Sequence, residues 1–160
     1  TWLAWAQLEA AQNQVGTYSC ENTARWIFSE GMKRFPKEFL LYPSFAYMEL
    51  SMHSTENARK ILRQSVQYSE HSIGRLAILE FFCGNIDSED LFCTNNLMTR
   101  MEKETTYSFS ALLYLYHCCV LLERTTEADR YYKMLLQNPK YDPSNTSVTT
   151  YIELCKEAFT

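Results

Sequence analysis

Tyr42-Pro43-Ser44-Phe45-Ala46-Tyr47-Met48-Glu49 and, eight residues on, Ala58-Arg59-Lys60-Ile61-Leu62-Arg63-Gln64-Ser65-Val66 decide the fold. Positions 42, 45, 46 and 49 fall at i, i+3, i+4 and i+7, which is one stripe of a helix. Positions 58, 61, 62, 65 and 66 draw the same stripe on a second helix. Between the two, Ser54-Thr55-Glu56-Asn57 offers the hydroxyls and amide that a helix start needs as its N-cap. The unit is a helical hairpin, with Ala46 and Ala58 as the small residues where the two helices approach most closely.

The same spelling occurs forty positions earlier with a longer turn: Trp2-x-x-Trp5-Ala6-x-x-Glu9, then Ala24-Arg25-x-Ile27-Phe28-x-x-Gly31-Met32. A third first-helix copy reads Ile73-x-x-Leu76-Ala77-x-x-Glu80, with Gly84-Asn85 in the turn. A fourth reads Tyr116-x-x-Cys119-Val120-x-x-Glu123, followed by Ala128-x-x-Tyr131-Tyr132. Starts at 2, 42, 73 and 116 give spacings of 40, 31 and 43, the range of stacked helical hairpins. The expected fold is all-α, a right-handed solenoid of about four antiparallel hairpins plus a C-terminal helix. It forms one domain over 1–160, with units near 1–36, 37–69, 70–104 and 105–139 and a last helix near 143–159.

Aromatic-x-x-aromatic-Ala-x-x-Glu, a turn, Ala-Arg and a closing proline (Phe35-Pro36 and Asn138-Pro139) resemble the half-a-TPR, or HAT, repeat. The resemblance runs from Thr1 to about Pro139. The third unit has Glu89-Asp90 where Ala-Arg belongs. The fourth has Asp129 in place of Arg and a turn four residues shorter. HAT proteins concentrate in RNA-processing assemblies, where the repeats serve as protein-binding scaffolds. The resemblance therefore implies a non-catalytic scaffold, with other protein subunits as partners, RNA contacted indirectly, a homodimer as an option, and a nuclear location. Direct binding of single-stranded RNA, or a TPR-type peptide receptor outside RNA metabolism, are the alternatives.

Composition agrees with a folded helical chain. With 46% hydrophobic and 21% charged residues and only four Gly and four Pro, neither a sheet-rich fold nor a flexible linker is expected. A net charge of −4 leaves no basic excess to draw in a phosphate backbone. Six cysteines, without Cys-x-x-Cys spacing and mostly among apolar residues, read as buried free thiols of a reducing intracellular setting. The longest apolar run, Ala111–Leu122, contains His117 and is too short for a bilayer span. The opening at Thr1, with motif residue Trp2, reads as a fragment of a longer solenoid.

Further along the chain, Ser19 and Asn22 stand where a cap for the second helix belongs. A sixth helix is expected over about Ser88–Met101, with Asn95-Asn96 interrupting its stripe. Asp142-Pro143 signals the start of the last helix, which is expected to cover the apolar face of the fourth hairpin.

The acids Glu9, Glu49, Glu80 and Glu123 recur once per unit. Two converging acids would suggest acid–base chemistry, but equivalent positions in stacked hairpins lie about 10 Å apart. The structural expectation is an ion pair across each hairpin, Glu49 with Arg59 and Glu9 with Arg25. His53, His71 and His117 lack ligand spacing, so no metal is expected. His117 beside Cys118-Cys119 is no nucleophile–base pair, because adjacent helix residues point apart. No phosphate loop, nucleophile elbow or zincin motif is present, and neither a catalytic residue nor a cofactor is expected. Lys33, Arg34 and Lys37, and separately Arg59, Lys60 and Arg63, form two basic clusters that an RNA strand or a partner could touch; a solvated helix face is the plainer reading.

Overall fold

A computed structural model describes residues 3–5, 18–38, 40–104 and 108–160. Among them every regular element is an α-helix, and there is no strand. Residues 3–5 are helical. They are followed by α1 (Tyr18–Arg34), α2 (Leu41–Ser51), α3 (Thr55–Ser65), α4 (Glu70–Phe82), α5 (Thr94–Glu104), α6 (Phe109–Leu121), α7 (Thr125–Leu136) and α8 (Ser147–Ala158). Each helix from α1 to α6 packs on the next, and α2–α4 and α4–α6 also touch directly. The first helices of successive hairpins thus form a row of their own. One hydrophobic cluster extends from Ala24 to Cys155.

The small residues sit at the tight approaches. Ala24, Ala58 and Ala77 are fully buried, Ala46 and Ala128 nearly so, while Ala6 lies outside the described residues. A methyl in place of a longer side chain lets two backbones come close enough for neighbouring Ile, Leu and Phe to interlock. Phe28 of α1 stacks on Phe45 of α2, centroids 5.0 Å apart. Pro43 sits in the first turn of α2, where an absent N–H leaves no broken hydrogen bond.

The three first helices end alike. His53, Gly84 and Glu123 adopt positive φ (61°, 84° and 59°). The following N–H reaches back five residues: Ser54 N to Glu49 O at 2.8 Å, Asn85 N to Glu80 O at 2.9 Å, and Arg124 N to Cys119 O at 2.9 Å. This left-handed terminus satisfies carbonyls that would otherwise lack partners. It also fixes the register, and corrects the fourth motif. The residue equivalent to Glu49 and Glu80 is Cys119, and Glu123 is the exposed turn residue. The fourth unit starts at Leu112 instead of 116. Cys119 then precedes Ala128 by nine positions, as Glu49 precedes Ala58, so its turn is not shortened at all.

Four further expectations are revised. Ser19 and Asn22 fall inside α1 instead of capping it. Ser54 makes no side-chain cap; its hydroxyl instead accepts from Arg25 at 3.3 Å. Helix α5 starts at Thr94, not Ser88. Asp90 folds the preceding segment into a loop, accepting from Phe92 N at 2.9 Å and Asn85 Nδ2 at 3.1 Å. The buried stripe of α5 is therefore Thr94, Leu97, Met98 and Met101, and Asn95 and Asn96 lie beside it. Asp142-Pro143 forms a turn, with Asp142 accepting from Ser144 N at 3.0 Å, and α8 begins only at Ser147.

The largest revision concerns α8 itself. Its principal neighbours are α2 and α4, not the outer side of the fourth hairpin. Tyr151 donates to the Arg75 carbonyl at 2.9 Å, and the Arg75 guanidinium lies 4.7 Å from the Tyr151 ring centre. The outer side of α7 remains open, with Tyr132 and Leu136 exposed.

Candidate functional site

The motif arginines reach forward along the chain, not across their own hairpin. Arg25 meets Glu49 bidentately, Nε to Oε1 at 2.8 Å and Nη2 to Oε2 at 3.1 Å. Arg59 meets Glu80 in the same way, both bonds at 2.9 Å. The expected pairing of Glu49 with Arg59 is thus replaced by one between each second helix and the first helix of the next unit. The cause is helical geometry: Ala58 faces its partner helix, and the next residue points about 100° round, toward the following unit. Glu9 lies outside the described residues.

Both acids are buried and fully engaged. Glu49 also accepts from Asn57, and Glu80 from Arg63 at 3.1 Å and Asn85 at 2.8 Å. Arg63 bridges on to Asp90 at 3.1 Å and lies over the Phe92 ring. The Glu80 carboxylate holds the Arg59 guanidinium even more firmly protonated than usual. Bidentate pairing of this kind fixes geometry as well as charge. These carboxylates hold one unit to the next; they do not sit free in a pocket to trade protons. In the fourth unit the acid position is Cys119, and Met98 stands at the preceding arginine position, so both members of the pair are replaced by apolar, buried residues.

The other motif residues divide by burial. Tyr42, Phe45, Leu76 and Ala77 are core, and Tyr42 donates to the Pro36 carbonyl at 3.0 Å. Trp5 is half exposed and meets the exposed Trp26 edge-on, centroids 6.4 Å apart. Trp2 lies outside the described residues. Of the basic clusters, Lys33, Arg34, Lys37 and Lys60 are exposed, Lys33 pairing with Glu30, while Arg59 and Arg63 are committed to Glu80. The structure therefore does not assemble the second cluster as a free cationic strip.

Thiol chemistry is suppressed by burial. It pushes the Cys83 and Cys119 thiols up to about 11 and Cys155 up to about 12, with Cys118 higher still. These thiols, together with Cys93, are free. As protonated thiols, Cys83, Cys118, Cys119 and Cys155 are poor nucleophiles. Among the described residues no group of three or more His, Cys, Asp or Glu could hold a metal ion, and no helix is long and apolar enough to cross a membrane. Two open clefts flank α7. One of about 460 Å³ is lined by Thr126, Asp129, Arg130, Lys133, Met134 and Gln137. The other, of about 580 Å³, lies between Tyr116, Val120, Glu123 and Asp129.

Burial lowers the His117 pKa below its usual value of 6.5. The unfolded chain then takes up this proton first as the pH falls. The stability contribution is complete above about pH 6.5 and is lost on going down toward the folded pKa. Urea midpoints should fall between pH 7.5 and 5.5, and His117→Gln should flatten that slope. An unchanged slope in the variant would show that His117 does not carry it.

Sequence reasoning missed Arg75, Tyr114 and Tyr151, which meet on the α8 side of the first-helix row. Tyr114 accepts from Arg75 Nε at 3.2 Å and lies within 3.4 Å of His71 Nδ1. The available signal was apolarity on every side: α2 and α4 bury residues all round, whereas α3 buries only Ala58, Ile61, Leu62 and Ser65. A helix apolar all round needs cover on two sides.

Comparison with protein-family models, with characterised proteins and with solved structures finds no match for this chain.

Proposed function

We propose that the chain is a non-catalytic protein-binding scaffold of the HAT type, a right-handed solenoid working within an RNA-processing assembly in the nucleus. The observation that carries the repeat reading is the recurrence of one device: Arg25–Glu49 and Arg59–Glu80 join successive units through equivalent residues at equivalent distances. Stacked hairpins joined in this way form a long surface, and such surfaces bind helices or extended peptides of other proteins. The open flank of α7, where Val120, Tyr132 and Leu136 are exposed, is of the kind that partners cover.

Other protein subunits are the proposed partners, with RNA brought in by them. Direct single-strand binding is less well supported, because Arg59 and Arg63 are already spent on Glu80. An affinity pull-down with the chain as bait, with and without nuclease, tests the reading. Nuclease-resistant recovery of RNA-processing subunits is expected. Recovery that nuclease abolishes, together with salt-steep binding of a single-stranded RNA by the purified chain, would transfer the function to direct RNA contact. A partner set with no connection to RNA would place the chain among peptide receptors of another process.

A further inference from the structure

We infer that the open groove between α6 and α7 takes a cationic helix of another protein, whose apolar stripe carries a lysine or arginine that meets Asp129 and Glu123. The inference rests on the scaffold reading and deepens it, by naming the face used and the charge of what it binds.

Inside the chain the equivalent grooves are filled, each by the first helix of the next unit. Helix α4 lies against both α2 and α3, and α6 lies against both α4 and α5. The pair α6–α7 is the third of this kind. The helix that follows it, α8, does not take that place, since its principal neighbours are α2 and α4.

What is left open is a groove of about 580 Å³. Tyr116, Val120 and Ala128 line its apolar part, and Glu123 and Asp129 add two carboxylates. The apolar surface continues past it: the Tyr132 ring lies 5.5 Å from that of Tyr116, and Leu136, two turns beyond Asp129, is 55% exposed. A groove between two helices with such a lining suits the apolar stripe of a third.

The charge of the occupant follows from the repeat. The residue after each second-helix alanine points toward the following unit: Arg25 after Ala24 meets Glu49, and Arg59 after Ala58 meets Glu80. After Ala128 that residue is Asp129, so the charge is reversed. A helix laid on α6–α7 as α4 is laid on α2–α3 brings to Asp129 the residue that stands where Glu80 does. A glutamate there is repelled, and a lysine or arginine is attracted. Glu123 doubles the negative charge of the same groove. Among the described residues neither carboxylate belongs to an ion pair. The cations of α7, Arg130 and Lys133, line its other cleft. One more unit of the chain's own type, with glutamate at that position, would meet like charge. The occupant we assign is therefore a basic helix from a different protein.

The test uses the whole chain and two short fluorescent peptides, each held helical by a hydrocarbon staple. One copies the α2 stripe Tyr42-x-x-Phe45-Ala46-x-x-Glu49 with lysine in place of the glutamate, and the other keeps the glutamate. By fluorescence anisotropy the lysine peptide should bind saturably, one per chain. The glutamate peptide should bind about tenfold more weakly, because the change turns an attraction into a repulsion. Asp129→Arg combined with Glu123→Arg should reverse the order of the two peptides. Both positions are exposed, so the variant should keep the helical circular-dichroism signal. Lys133→Ala, on the other cleft, should leave the preference unchanged.

No saturable binding, equal affinity for the two peptides, or a preference that the double reversal leaves as it was would overturn the proposal. Dimers of the chain that the lysine peptide dissociates would make a second copy the occupant, and would overturn it too. Failure here leaves a scaffold that uses another face, whereas failure of the pull-down leaves this groove and its charge preference intact.

Discussion

Replacing Glu80 with Ala is expected to destabilise the chain by about 3 kcal/mol, because it breaks a buried ion pair from its most buried member. The Glu80 side chain is 0% exposed and serves Arg59, Arg63 and Asn85 at once. Removing it leaves two guanidiniums and an amide side by side, each having lost an acceptor. The arginine side chains are 22% and 31% exposed and can turn partly to water, which keeps the cost toward the lower end for such breaks. Glu56, paired with the same Arg59 but 74% exposed, should matter far less: Glu56→Ala should cost under about 0.5 kcal/mol. Urea unfolding of the two variants tests this contrast, and equal losses would contradict it.

Gly74→Ala should cost about 2 kcal/mol, although alanine is the better helix former by about 1 kcal/mol. Gly74 lies within α4, directly under the Tyr114 ring of α6, and a Cβ there would overlap the base of that ring. The ring has nowhere to go, since Tyr114 is buried and its hydroxyl is held by Arg75. Vacating the space should restore the usual preference. In a Tyr114→Ala background the same Gly74→Ala change should be neutral or stabilising by thermal denaturation. A stabilising Gly74→Ala in the native background would mean that the two helices do not approach so closely.

The hairpins were legible because Tyr42–Val66 carries two stripes of period 3.6 and a polar turn, and α2, α3 and α4 end within two residues of where that pattern ends. The small residues at helix contacts were legible too, at Ala24, Ala46, Ala58 and Ala77. The fourth register was not. A slip of four residues is about one helical turn, so Tyr116, Cys119, Val120 and Glu123 draw nearly the same stripe as Leu112, Leu115, Tyr116 and Cys119. Only the left-handed residue at 123, with no glycine to announce it, separates the two.

The direction of the ion pairs was hidden for a different reason. Glu49 stands 10 positions from Arg59 and 24 from Arg25, and proximity in sequence favoured the partner it does not have. The site of α8 was least legible of all, since Tyr151 and Arg75 are 76 positions apart. Its trace was the apolarity of α2 and α4 on faces that their own hairpins leave open.

Units locked each to the next, and not each across itself, are tested most directly by two double-mutant cycles on one arginine. Arg59→Met combined with Glu80→Gln should show a coupling of about 1 kcal/mol or more, while Arg59→Met combined with Glu49→Gln should be additive to within about 0.5 kcal/mol. Coupling between Arg59 and Glu49, with additivity between Arg59 and Glu80, would contradict the arrangement.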